Sequence, residues 1–195
     1  GLAGISFGGF LIKRVADQLA NEFRRLKIFA TLSPVPGFRR WLDEQFGPAT
    51  KDGAKSGFAQ LLRKADRDAL AGLPTPVADG VAFVKFLDRP DWPEVKGAVE
   101  ALREPLIRLC ARYLMTEKRP DGRARDPVAH FHLSNGASLE RINWLADMSP
   151  RGLGQSATMM VNYLYRLDAI EENHEAYSGA GSIAASSAVR ALVKK

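Results

Sequence analysis

Cysteine is nearly absent: Cys110 is the only one in 195 residues. A lone cysteine excludes an internal disulfide and the four-cysteine zinc pattern, and a reducing compartment is its simplest setting. Lying in an apolar, helically spaced segment, Cys110 reads as a small core residue rather than a nucleophile. Histidine is scarce too, with three in the chain, and no third ligand completes a metal site around His130 and His132, because His174 falls in a Glu-rich stretch. No apolar run reaches the roughly 20 residues of a bilayer-spanning helix. No positively charged leader precedes an apolar core and cleavage site, so a soluble protein is expected. Internal repeats and low-complexity tracts are also missing.

What is there fits an ordinary globular domain: 46% hydrophobic and 9% aromatic residues, in a length that buries a sizeable core. The 28 basic residues exceed the 22 acidic ones, for a net charge of +6 and a pI near 9.6. That balance favours an anionic partner: nucleic acid, acidic lipid or a phosphorylated small molecule.

Periodicity organises the chain. Residues 2–7 read as a short buried strand, broken by Gly8-Gly9 before a helix whose apolar positions are Leu11, Val15, Leu19, Phe23 and Leu26. Residues 27–32 have strand character and end at Ser33-Pro34-Val35-Pro36-Gly37, since proline removes a ladder donor. A short helix over 38–46 and a loop over 47–57 follow. Phe58, Leu61, Leu62, Ala65 and Leu70 then suggest one modest helix. Residues 78–87 and 95–114 read as helices, with Pro105 requiring a kink or a fresh start. The charged segment 116–126, with Arg119, Arg123 and Arg125, reads as a solvated loop or a phosphate contact. Residues 159–167 suit a late strand and 183–193 a closing helix.

Three places bear chemistry. The run His130-Phe131-His132-Leu133-Ser134-Asn135-Gly136-Ala137, if extended, turns both imidazoles to one face and Phe131 and Leu133 to the other. Those imidazoles are either satisfied by backbone carbonyls or available near neutral pH. The run Gly1-Leu2-Ala3-Gly4-Ile5-Ser6-Phe7-Gly8-Gly9 sets glycines between a strand and a helix N-terminus, as either a pyrophosphate cradle or a turn built for close packing. Ser33 either caps the following helix or its own turn, or is a reactive hydroxyl.

The segment from His130 continues through Ser138-Leu139-Glu140-Arg141-Ile142-Asn143-Trp144-Leu145-Ala146-Asp147-Met148-Ser149-Pro150, and Met159-Met160-Val161-Asn162-Tyr163-Leu164-Tyr165 comes later. With Phe10-Leu11-Ile12-Lys13-Arg14-Val15, Thr31-Leu32-Ser33-Pro34-Val35-Pro36-Gly37-Phe38 and Pro105-Leu106-Ile107-Arg108-Leu109-Cys110, these blocks resemble the malonyl-CoA decarboxylases. Between residues 48 and 100 little beyond helical periodicity is read.

The resemblance implies an α/β fold, GNAT-like (similar to the acyl-CoA-dependent N-acyltransferases), with a mixed sheet and additional helices. It also implies that residues 1–195 are the C-terminal part of a catalytic domain. The N-terminal helical domain and the start of the catalytic domain are then expected upstream of Gly1, which runs directly into an apolar segment without a methionine. By resemblance, Ala3, Gly4, Ile5, Ser6, Phe7, Gly8 and Gly9 contact the acyl-thioester and phosphopantetheine, with Lys13 and Arg14 near enough to assist. Ser33 of Leu-Ser-Pro-x-Pro-Gly-Phe is catalytic and pairs with His132 of Phe-His-Leu-x-Asn-Gly-Ala. His130 is support or surface, and Tyr165 joins the substrate site or is a buried structural tyrosine.

The implied reaction converts malonyl-CoA to acetyl-CoA and carbon dioxide with a Ser/His pair, in fatty-acid and malonate metabolism. No metal or other cofactor is expected, because the thioester is the electron sink. The implied partners are malonyl-CoA and acetyl-CoA, with neither nucleic acid nor membrane, and the full-length protein is expected to be a homo-oligomer. Composition points to a bacterial cytoplasm, and a eukaryotic source would point to the mitochondrial matrix. The closest alternative is a GNAT-type N-acyltransferase using the same coenzyme loop. A basic helical nucleic-acid-binding module is a further one, against which the basic residues are scattered and no aromatic-interleaved basic patch occurs.

Overall fold

A computed structural model of the protein describes residues 8–48 and 54–194. The expected strand over 2–7 and the loop positions Ala3 to Phe7 lie outside these. In chain order the elements are α1 (Gly8–Glu22), β1 (Phe29–Pro34), α2 (Phe38–Phe46), α3 (Ala54–Leu61), α4 (Lys64–Ala71), α5 (Gly80–Leu87), a 3-10 turn (Trp92–Glu94) and α6 (Ala98–Thr116). Then come α7 (Pro127–Ser134), β2 (Ser138–Asn143), α8 (Pro150–Ser156), β3 (Met160–Tyr165), α9 (Ile170–Ala180) and α10 (Ser187–Val193).

The strands form an antiparallel sheet in the order β1-β3-β2. The fold is therefore α/β, with a small antiparallel sheet among the described residues where a mixed one was expected. Ser33 lies opposite Val161, Thr31 opposite Tyr163 and Phe29 opposite Tyr165. Strand alternation then turns Phe29, Thr31, Ser33, Val161, Tyr163 and Tyr165 to one face. On β3 that face is the buried one: Val161, Tyr163 and Tyr165 are buried while Met160, Asn162 and Leu164 are only partly so.

The helices build the core beside it. Phe38, Trp41, Leu42 and Phe46 make α2 a helix with one buried side. Trp41 and Phe38 lie against Tyr113 of α6, with ring centroids 5.5 and 5.9 Å away. Phe46, Phe58 and Phe83 join α2, α3 and α5 edge to face, the arrangement that the aromatic quadrupole favours. The single helix expected around 58–70 is instead two. Arg63 adopts an extended backbone between α3 and α4, and the Asp66 carboxylate accepts the Arg63 N–H at 2.9 Å, restarting the helix at a local polar cap. α6 runs continuously through Pro105. The charged 116–126 segment is a turn-rich connection in which Arg119 approaches Asp121 and Arg125 pairs with Glu44.

The main correction concerns residues 130–137, which are helical through Ser134 and not extended. Asp126 accepts from the N–H groups of Val128 and Ala129 at 2.9 and 3.0 Å, and Pro127 occupies the first helical turn. A capped start with proline at its head is a strong helix signal, and it overrides the short apolar alternation. At about 100° per residue, positions two apart point to nearly opposite sides of a helix. His130 and His132 therefore do not share a face.

Candidate active site

Three chain segments meet at His132. Its Nε2 lies 2.9 Å from Ser33 Oγ, and its Nδ1 lies 2.7 Å from the Tyr165 hydroxyl. The imidazole stacks on Tyr163, centroid to centroid 4.3 Å at 20°, and Phe131 meets it edge-on. Ser33 Oγ also donates to Thr31 Oγ1 at 3.2 Å. The group is enclosed: Ser33, His132 and Tyr165 are 8%, 7% and 2% exposed. Burial lowers the His132 pKa to about 4 and pushes the Tyr165 phenol well up. At neutral pH the site thus holds a neutral imidazole between two protonated hydroxyls.

Geometry comes from the scaffold. β1 presents Ser33 and Thr31, β3 presents Tyr163 and Tyr165, and α7 delivers His132 to the same sheet face. Asp126 ties these together. Besides capping α7, its Oδ2 accepts the Gly37 N–H at 3.1 Å and receives the Tyr113 hydroxyl at 3.4 Å. Gly37 follows Ser33 in the β1–α2 turn, so one carboxylate links the helix that carries the histidine to the turn behind the serine. Gly37 has no room for a side chain: a Cβ there would stand 2.2 Å from the Tyr113 hydroxyl. Val35 N–H donates to Ser156 Oγ at 3.1 Å, securing the same turn from α8. Replacing Asp126 by alanine removes these acceptors together and leaves the donors unpaired, an expected loss of about 2 kcal/mol in urea unfolding.

The remaining candidates lie elsewhere. His130 meets Tyr177 of α9 and Ser134 through Nδ1, at 2.9 and 3.2 Å, on the far side of α7. His174 donates from Nδ1 to the Ser134 carbonyl. Gly8 and Gly9 open α1, and Lys13 within that helix pairs with Glu171 of α9. Cys110 is fully buried, and burial raises its thiol pKa well above the usual value. Among the described residues no group of three or more His, Cys, Asp or Glu side chains could hold a metal ion, and no helix is long and apolar enough to cross a membrane. Thr31, Tyr163 and Asp126 were not singled out from the sequence. Only Asp126 carried a local signal, the Asp-Pro helix start.

A family model described as the malonyl-CoA decarboxylase C-terminal domain matches residues 1–195. The chain belongs to the malonyl-CoA decarboxylase family. It is 40% identical over 195 residues to the mitochondrial malonyl-CoA decarboxylase of Anser anser anser, covering all of this chain and 38% of that one. The crystal structure of malonyl-CoA decarboxylase from Agrobacterium vitis matches with a TM-score of 0.79 at 47% identity, over 100% of this chain and 42% of that one. That from Rhodopseudomonas palustris matches at 0.78 and 44%, over 99% and 39%. The chain therefore spans about two fifths of the length of these decarboxylases.

Proposed function

We propose that this chain carries the reaction centre of a malonyl-CoA decarboxylase, with Ser33 and His132 acting on the malonyl thioester. The reading rests on the buried Ser33–His132–Tyr165 contact, in a chain whose relatives are named malonyl-CoA decarboxylase. When the carboxylate leaves as carbon dioxide, the bond's electron pair passes into the thioester carbonyl as an enolate, and the α-carbon then takes one proton. Ser33 holds and polarises the substrate. His132 delivers the proton from Nε2, and the ring is replenished from solvent. A neutral imidazole N–H is also a suitable donor to a developing enolate oxygen in an enclosed site. Burial strengthens each of these interactions. The thioester supplies the electron sink, so we propose that no cofactor takes part.

Coenzyme A, with its phosphates, fits the net charge of +6. We assign its thioester and phosphopantetheine arm to Ala3, Gly4, Ile5, Ser6 and Phe7 together with Gly8 and Gly9, the first residues of α1, since a helix N-terminus favours negative charge through its dipole and backbone N–H groups. We also propose a GNAT-like fold for the whole domain, on the strength of the family resemblance.

The test is product analysis in the intact protein with malonyl-CoA and no acceptor amine. Equal amounts of carbon dioxide and acetyl-CoA are expected. An N-acyltransferase would leave malonyl-CoA unchanged until an amine is added, and that outcome rejects the decarboxylase reading.

A further inference from the structure

The hydroxyl beside Ser33 belongs to Thr31, two residues back on β1, so strand alternation places both on the sheet face that His132 covers. The direction of the hydrogen bonds joining these groups decides which ring nitrogen carries the proton. Tyr165 is 2% exposed, and its hydroxyl meets His132 Nδ1 at 2.7 Å. If Nδ1 carried the proton and donated it, the buried Tyr165 O–H would lose that acceptor, which is costly for an enclosed hydroxyl. The arrangement that keeps the proton of the more enclosed hydroxyl paired, Tyr165 being buried and Thr31 only half-buried, has Tyr165 O–H donating to Nδ1, so the proton of the neutral ring sits on Nε2. Nε2–H then donates to Ser33 Oγ at 2.9 Å. Ser33 must in turn send its own proton elsewhere, and Thr31 Oγ1 accepts it at 3.2 Å.

We propose that Thr31 is a positioning residue for the reaction: by accepting the Ser33 proton it keeps Ser33 an acceptor toward His132 and so keeps the transferable proton on Nε2. This rests on the decarboxylase reading above. Without the Thr31 hydroxyl, the Ser33 O–H turns to Nε2, the nearest acceptor, and the ring shifts toward the Nδ1–H tautomer. In that tautomer the nitrogen facing the serine has nothing to give. One-way chains of this kind also reinforce each member.

Thr31→Val keeps the branched shape on a strand and removes only the hydroxyl, while Thr31→Ser keeps the hydroxyl and removes a methyl. In the intact protein, Thr31→Val is expected to lower kcat for carbon dioxide release at least about tenfold with KM changed less than about twofold, as for a group acting on the chemical step. Thr31→Ser is expected to stay near the parent. Nitrogen-15 NMR of the His132 ring should show Nε2–H in the parent and in Thr31→Ser, and a clear Nδ1–H population in Thr31→Val. Thermal unfolding confirms that both variants fold.

The inference is overturned if Thr31→Val retains parental kcat, if Thr31→Ser shares its defect, or if kcat falls while His132 stays in the Nε2–H form. Ser33→Ala and His132→Asn are measured alongside. Retained turnover in those two overturns the decarboxylase roles themselves, whereas their inactivity beside an active Thr31→Val overturns only the role of Thr31.

Discussion

Carbon dioxide release from malonyl-CoA should fall on the order of 10²-fold or more in His132→Asn, the loss expected when a positioned acid is removed. Ser33→Ala should fall by a similar factor. Asparagine still fills much of the imidazole's volume but cannot give and regain a proton at the Nε2 position. His130→Asn is the internal control. It sits two residues away on the same helix, and its ring faces Tyr177 and Ser134, so its turnover should remain within about twofold of the parent. Because Ser33 and His132 are in direct contact at 2.9 Å and are proposed to serve one transition state, the double variant should be little worse than the poorer single one. Additive losses would mean that the two side chains act in separate steps. Near-parental turnover in His132→Asn, or a collapse in His130→Asn, would remove His132 from the chemistry.

The contrast between the two histidines also shows where sequence stops being sufficient. Helices such as α2, α5 and α6 were legible because their apolar side chains recur at helical spacing and their ends carry turn residues. Trp41, Leu42, Phe46, Phe83 and Leu106 are buried in the structure. β1 and β3 were legible from short runs of bulky residues bounded by breakers. The stretch around His130 misled because apolar and polar residues alternate there over a few positions, too short a window to distinguish a strand from a capped helix. Asp126 and Pro127 just upstream settle it, by holding the first turn's N–H groups.

The pairing of Ser33 with His132 spans 99 positions, and no local pattern reports a contact of that range. Only the likeness to a family placed them together in the sequence reading. Thr31 and Asp126 were hidden for a related reason. Thr31 matters through strand register and Asp126 through a tertiary link to Gly37, and both exist only once β1, α6 and α7 have assembled.

Acid should destabilise this protein through His132 in a definite window. Burial lowers its pKa from the ordinary 6.5 to about 4 in the folded state, whereas the unfolded chain keeps the ordinary value. Between those two values the unfolded state binds a proton that the folded state refuses. Folding stability therefore falls as pH drops from about 6.5 to about 4, by an amount on the order of 3 kcal/mol, and levels off below. His130, whose pKa burial and the nearby Arg119 and Arg123 also lower, adds in the same direction. Asp126 acts oppositely, since burial raises its pKa and a folded-state proton gained near the carboxylate range favours folding as acidity increases.

Comparing the parent with His132→Asn isolates one contribution, because both chains keep His130 and Asp126. Urea unfolding at a series of pH values should show the parent losing more stability than the variant between pH 7 and pH 4, so that the difference between the two curves changes across that window. Parallel curves would mean that the ring takes up its proton in the folded protein as readily as in the unfolded chain, and the enclosed neutral imidazole would then be ruled out.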